Sequence, residues 1–234
     1  MLVVALQKEL REVANPTKAR ILSGFFKTKP WQYGEGDVFL GLTVPQSRQF
    51  AKKYSTLNYL DITKLLQSKI HEERLIALLI LVHKFQSSTA DEHKKIFEYY
   101  FKNSKKVNNW DLVDLSADKI VGVYLLTRPR VKLYILARSK NIWQRRIAII
   151  ATLQFIKHNQ FKDTFNIAKI LLHDEHDLIH KAVGWMLREV GKRSMEIEEA
   201  FLVTTYKQMP RTMLRYAIER FPESRRKQYL RGQI

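Results

Sequence analysis

Apolar residues recur at intervals of three and four along most of the chain, as in Leu75, Leu78, Leu79 and Val82, and again in Ile149, Leu153 and Ile156. That spacing returns a side chain to one face of a helix every turn, and no segment shows the sustained alternation of a half-buried strand. The pattern predicts helix after helix. Punctuation is concentrated early, at Pro16, Pro30, Gly34, Gly36, Gly41 and Pro45, and Gly34-Glu35-Gly36 reads as a turn. Thr43-Val44-Pro45-Gln46 and Met209-Pro210-Arg211 place proline near helix starts, where its missing N–H costs nothing. Leu2 to Leu6 is apolar but passes directly into Gln7, Lys8, Glu9, Arg11 and Glu12, with Leu10 and Val13 between them. This is an amphipathic helix, not a signal peptide.

The helices repeat. Arg74-Leu75-Ile76-Ala77, Arg145-Arg146-Ile147-Ala148, His180-Lys181-Ala182-Val183 and Leu214-Arg215-Tyr216-Ala217 each set basic residues or a histidine near an alanine flanked by larger apolar residues. From Ala148 onward the alanines recur about every 35 residues, and the gap from Ala77 to Ala148 is about twice that, a period of two-helix solenoid units. The absent member is expected near residue 112, which is Leu112. The fold expected is therefore all-α, a single domain over residues 1–234 built as a superhelical array of two-helix repeats. Equivalent helices of such an array line one face, usually concave, on which residues distant in sequence converge. Trp110, Asp114, Arg146 and Trp185 are expected to share that cleft.

Charge changes the picture from scaffold to binder. The chain of 234 residues carries a formal net charge of +18, and an excess of Lys and Arg on this scale predicts a polyanionic partner, with nucleic acid the first candidate. No acid occurs between Asp118 and Asp163, whereas Lys119, Arg128, Arg130, Lys132, Arg138, Lys140, Arg145, Arg146, Lys157 and Lys162 are basic. Arg211, Arg215, Arg220, Arg225, Arg226, Lys227 and Arg231 extend the block. A one-sign stretch inside folded helix is expected to face phosphate and to make the concave face basic. There is no cysteine, which excludes disulfides, thiolate nucleophiles and cysteine-held metal clusters and suits a reducing compartment. The apolar runs Ala77 to Val82 and Ile147 to Ala151 are far shorter than the ~20 residues of a membrane span. A soluble, intracellular protein is expected.

Chemistry is concentrated in Asn108-Asn109-Trp110-Asp111-Leu112-Val113-Asp114. On a helix Trp110 and Asp114 lie one above the other. With Asn109 and Asp111 beside it the indole is expected in polar surroundings, and a carboxylate kept in an anion-binding face is expected to have a chemical task. Asp118, one turn on, competes with Asp114, while Asp111 points elsewhere on the helix. Lys181, Trp185 and Arg188 share a second face, and mid-helix Gly184 implies a close approach there; helix packing and a functional Trp185 both remain open. Trp143, at a helix start, reads as structural. His173, His176 and His180 have helical spacing but no motif that makes them metal ligands, and no metal site is expected.

Taken in order, Tyr33-Gly34-Glu35-Gly36-Asp37, Phe39-Leu40-Gly41-Leu42, Val44-Pro45, Asn109 to Asp114, Trp143-Gln144-Arg145-Arg146-Ile147-Ala148 and Lys181 to Glu189 resemble the AlkD-like DNA alkylation repair proteins, bacterial DNA glycosylases built of HEAT-like repeats. The similarity runs over roughly residues 20 to 225. It implies hydrolysis of the N-glycosidic bond of cationic alkylated purines, such as 3-methyladenine and 7-methylguanine, in double-stranded DNA, by a monofunctional enzyme without cofactor, monomeric and cytoplasmic. It implies that Asp114 is the catalytic carboxylate, that Trp110 and Trp185 are aromatic residues at the lesion, and that Arg146 is the basic residue of the site. Arg145, Lys157, Lys181, Arg188 and Arg215 are then expected DNA contacts. Relatives that have lost the Trp and Asp match less well. Two other readings share the charge and the helices: a helical-repeat scaffold that binds nucleic acid without chemistry, and a solenoid that binds an acidic protein.

Overall fold

A computed structural model describes residues 2–234. Among them the regular structure is helical, and β pairing amounts to one isolated parallel bridge between Val38 and Ile70. The chain divides into two compact units, residues 1–116 and 117–234.

The first unit contains α1 (Leu2–Glu12), α2 (Pro16–Phe25), α3 (Val44–Lys53), α4 (Tyr59–Leu66), α5 (His71–Ser87), α6 (Ala90–Lys102) and α7 (Trp110–Asp114). Its axis is α5, in which every residue from His71 to Val82 is buried. The short apolar run seen in the sequence is therefore a helix enclosed on all sides, and α3 and α4 pack against it. Helix α1 is amphipathic as expected, burying Val3, Leu6 and Leu10. Helix α3 begins with a capping box in which Thr43 and Gln46 satisfy each other's backbone N–H groups, with proline in the first turn. Helix α2 is also capped, by Asn15, yet buries none of its residues.

The second unit opens on a π-helical turn, Asp118–Gly122, followed by α8 (Val123–Leu125), α9 (Val131–Ala137), α10 (Ile142–Ala151), α11 (Leu153–Lys157), α12 (Lys162–Ile170), α13 (Asp177–Arg193), α14 (Met195–Thr205), α15 (Arg211–Ala217) and α16 (Glu223–Arg231). Helix α10 buries all six residues from Arg146 to Ala151. Helix α13 lies between α10, α14 and α15. Gly184 explains how closely α15 approaches: a Cβ there would stand 2.4 Å from the Met213 carbonyl oxygen and 2.5 Å from Tyr216 Cβ. The packing reading of this glycine is the one observed.

The predicted repeat positions fall on five helices with other helices between them: Ala77 on α5, Leu112 on α7, Ala148 on α10, Ala182 on α13 and Ala217 on α15, each with no exposed surface. A small or compact apolar residue at each contact lets its neighbours close in without a void. No described helix is long and apolar enough to cross a membrane.

Candidate active site

Helix α7 is only five residues long, too short to hold itself together by backbone bonds alone. It is held from outside. Asn109 caps it, accepting the Trp110 N–H at 2.8 Å through Oδ1 while its amide donates to Asp37 at 3.2 Å. Asp111 uses one oxygen to accept the Leu112 N–H and the other to meet His71 Nε2, both at 2.8 Å. The second His71 nitrogen lies 3.1 Å from Asp37, whose other oxygen accepts from Arg74 at 2.6 Å. His71 thus bridges two buried carboxylates, one from the loop after α2 and one from α7.

The electrostatics follow from this sandwich. Burial of His71 pushes its pKa down, but the charge of Asp111 and the hydrogen bonds to Asp111 and Asp37 outweigh that and raise it to about 9. Burial pushes Asp37 up, and the His71 hydrogen bond with the charges of Arg74 and His71 brings it below the usual carboxylate range. At neutral pH the centre is an imidazolium and a guanidinium against two carboxylates, a balanced group in a place where an unbalanced charge would be costly.

Residues 39–43 form the next wall. The Glu72 carboxylate accepts N–H groups from Leu40, Gly41 and Leu42, the shortest at 2.8 Å. Gly41 is obligatory here: its φ is +88°, and a Cβ would lie 2.2 Å from the Asn15 carbonyl oxygen at the start of α2. The Phe39-Leu40-Gly41-Leu42 motif is thus the piece that fixes α2 beside α5.

Between these walls is a cavity of about 420 Å³ lined by Ile21, Leu22 and Phe25 of α2, by Phe26, Phe39, Leu42 and Val44, and by Trp110, Asp111 and Asp114 of α7. The Trp110 indole stacks on Phe26 with ring centres 4.9 Å apart and meets the edge of Phe25 at 5.7 Å. Phe39 in turn stacks on both Phe26 and His71, and Phe26 meets His71 at a tilt. The expected polar surroundings of Trp110 are thereby corrected. Its polar sequence neighbours Asn109 and Asp111 turn inward to the buried network, and the ring faces Phe25 at the end of α2 and Phe26 just beyond it.

Three acids compete across 111–118, and their settings separate them. Asp111 is 6% exposed and committed to His71; Asp118 is 4% exposed and pairs with Lys119 at 3.2 Å and Lys157 at 3.4 Å within the second unit. Asp114 is half-buried on the cavity wall, on the same helix as Trp110.

The remaining expected site residues belong to the second unit. Trp185 is half-buried and its indole N–H donates to Glu189 at 2.9 Å, on its own helix. Arg146 is 5% exposed and donates to the Leu178 carbonyl. Arg145 holds Asp174 through two nitrogens, at 2.5 and 3.3 Å, and also donates to the Ser139 and Lys140 carbonyls. Lys181 pairs with Asp177 at 2.7 Å, and Arg188 pairs with Glu219. Arg215 is exposed.

The acid-free stretch is accordingly less uniform in space than in sequence. Asp163 neutralises Arg130 at 2.5 Å, Asp174 neutralises Arg145, and Asp118 takes Lys119 and Lys157. Lys140, Lys162 and Arg215 remain on the surface. Two of the histidines of 173–180 serve local structure: His176 caps α13 by accepting the Leu178 N–H, and His180 bonds the Asp174 carbonyl. No group of three or more potential ligands for a metal occurs among the described residues.

The model of the family described as "DNA alkylation repair enzyme" matches residues 6–221. The chain belongs to this family. Among solved structures it is similar to a predicted DNA alkylation repair enzyme from Enterococcus faecalis, at 18% identity and a TM-score of 0.68 over 90% of this chain and 97% of that one. AlkD2 from Streptococcus mutans matches at 17% identity and a TM-score of 0.53, over 88% and 98%. The protein smu.31 from Streptococcus mutans UA159 matches at 19% and 0.51, over 77% and 93%. At these identities the likeness is one of fold, and it places the all-α architecture among AlkD-type helical-repeat proteins. No curated protein matches the sequence significantly.

The buried network is not legible in the sequence. Asp37, His71 and Arg74 carry no helical period linking them to Asn109 and Asp111, and of the three only Asp37 stands beside a motif glycine, Gly36.

Proposed function

We propose that this DNA alkylation repair family member is a glycosylase that hydrolyses the N-glycosidic bond of cationic alkylated purines in duplex DNA. The observation that carries this is the setting of Asp114: a carboxylate on the wall of an aromatic cavity, one helical turn from Trp110, in a chain of net charge +18. Alkylation at N3 or N7 already makes the purine a cationic leaving group, so the reaction asks little of a general acid. The enzyme must favour the positive charge that grows on the deoxyribose as the bond breaks. Asp114 does this electrostatically, in apolar surroundings that strengthen its field, and it can orient or deprotonate the attacking water. Trp110, locked face-on to Phe26, presents a π surface to cationic nucleotide, a contact of about 0.5–2 kcal/mol. Trp185 is assigned a similar contact. This scheme calls on no metal or cofactor.

In this reading the exposed cations bind phosphate, and Arg146 and Arg145 act by holding the backbone and side chains around them. Arg215→Ala is expected to reduce the slope of log Kd against log salt by about one, the loss of one phosphate contact; anisotropy titrations of duplex DNA over a range of salt read this directly. A slope identical to wild type removes Arg215 from the interface.

The reaction itself is tested by its other product. Methylated duplex treated with the protein should accumulate abasic sites that break only on alkali. Immediate strand cleavage would point instead to a lysine acting through a Schiff base.

A further inference from the structure

The loop between α2 and Asp37 holds a side chain that the scheme above does not use. Trp31 is 98% exposed and its backbone φ is +66°, in the left-handed region that a bulky residue rarely adopts. The same loop has Lys27 at φ +52°. Strain of this kind persists only where surrounding structure enforces it, and it gathers at functional positions.

Here the enforcement is visible. The Trp31 N–H donates to the Glu35 carboxylate at 2.8 Å, the Lys29 N–H to the Gln32 side chain at 3.2 Å, and the Gly34 N–H to the Lys27 carbonyl at 3.1 Å. The backbone is tied on both sides of an indole that is left bare. The loop is also fastened to the cavity wall: Tyr33 donates to the Phe25 carbonyl at 3.4 Å, and Gly34 packs on the Phe26 carbonyl so closely that a Cβ would sit 2.3 Å away. Phe25 and Phe26 are the rings that touch Trp110.

Charge indicates the occupant. From Lys18 to Glu35 the exposed residues Lys18, Arg20, Lys27 and Lys29 face a single acid, Glu35, which is occupied with the loop's own backbone. Phe25, whose carbonyl accepts the Tyr33 hydroxyl of the same loop, is 61% exposed. An exposed aromatic in a cation-rich, acid-poor segment is the combination that binds nucleic acid, by stacking on bases while the cations hold the backbone.

We propose that Trp31 is a nucleobase-contacting residue, stacking on a base at the disrupted step of a duplex bound over the Trp110 cavity. The proposal rests on the duplex-binding part of the function proposed above. The loop's backbone is already fixed, so less of its freedom is lost on binding and the position of Trp31 along the loop is pre-set.

The test uses the full chain and a duplex with a tetrahydrofuran abasic analogue flanked by 2-aminopurine. Wild type should quench the 2-aminopurine as it binds. Trp31→Ala should weaken binding about tenfold, the scale of one lost base–aromatic stack, abolish the quench and leave the salt slope unchanged; Trp31→Phe should retain most of both. Since Trp31 is exposed, both variants should melt with wild type, which circular dichroism checks. Wild-type affinity and quench in Trp31→Ala would overturn the proposal while leaving the glycosylase reading intact. Failure of wild type to bind any duplex would overturn both.

Discussion

Asp114→Asn should bind methylated duplex DNA about as well as wild type and release purine about 10²–10³-fold more slowly. The magnitude is that of removing one pre-placed electrostatic group from a site where charge develops in the transition state. The substitution keeps the shape of the side chain on the cavity wall and removes its charge, so the loss should fall on the chemical step and not on affinity or melting temperature. Single-turnover rates with enzyme in excess separate the two. A variant with full activity would remove Asp114 from the reaction. Asp111 gives the contrast: its carboxylate is committed to His71 at 2.8 Å, so changing it should disturb α7 as a whole.

His71 is where the largest loss of stability is expected. His71→Ala strips the cation from between Asp37 and Asp111, leaves two carboxylates buried at 5% and 8% side-chain exposure, and removes a ring stacked on Phe39 at 4.5 Å. Breaking a buried charge pair in this way costs about 3–5 kcal/mol. The same residue sets a pH dependence. Its pKa is raised on folding from the ordinary 6.5 to about 9, so the folded state binds the proton more tightly than the unfolded chain does. Its stabilisation is complete below about pH 6.5 and is lost as the pH rises through about 9. Thermal melts of wild type and His71→Ala from pH 6 to 10 should therefore converge toward the alkaline end, as wild type forfeits what the variant never had. Parallel curves across that range would show that His71 does not titrate there.

Much of this architecture is legible in the sequence because local period and burial agree. Ala77 to Val82 and Ile147 to Ala151 read as short apolar runs and are the enclosed stretches of α5 and α10. The spacing that leaves a gap near residue 112 predicts a helix there, and α7 carries Leu112 fully buried. Trp110 and Asp114 share a helix, as their separation requires. What the sequence did not disclose depends on partners far along the chain. The aromatic surroundings of Trp110 come from Phe25 and Phe26, more than eighty residues earlier, and a polar flank in sequence says nothing about which neighbour folding brings. The acid-free block likewise looked uniformly cationic until Asp163 and Asp174, outside it, closed on Arg130 and Arg145. A one-sign run constrains charge along the chain; ion pairing is settled in space.

Helix α2 illustrates the same limit from the other side. Its periodic Ile21, Leu22 and Phe25 promise a buried face, yet the helix buries none of its residues and gives that face to the cavity. An apolar stripe records only that something apolar is met, and here it meets the wall of a site.

Release of free base is the step that separates a glycosylase from a protein that only binds DNA. Duplex DNA treated with a methylating agent is incubated with the pure protein, and the free bases are identified by mass spectrometry. Release of 3-methyladenine and 7-methylguanine by wild type, with little from Asp114→Asn, is the predicted result. Tight binding to the same DNA with no base released would contradict it and leave a helical-repeat protein that recognises DNA without cutting the glycosidic bond.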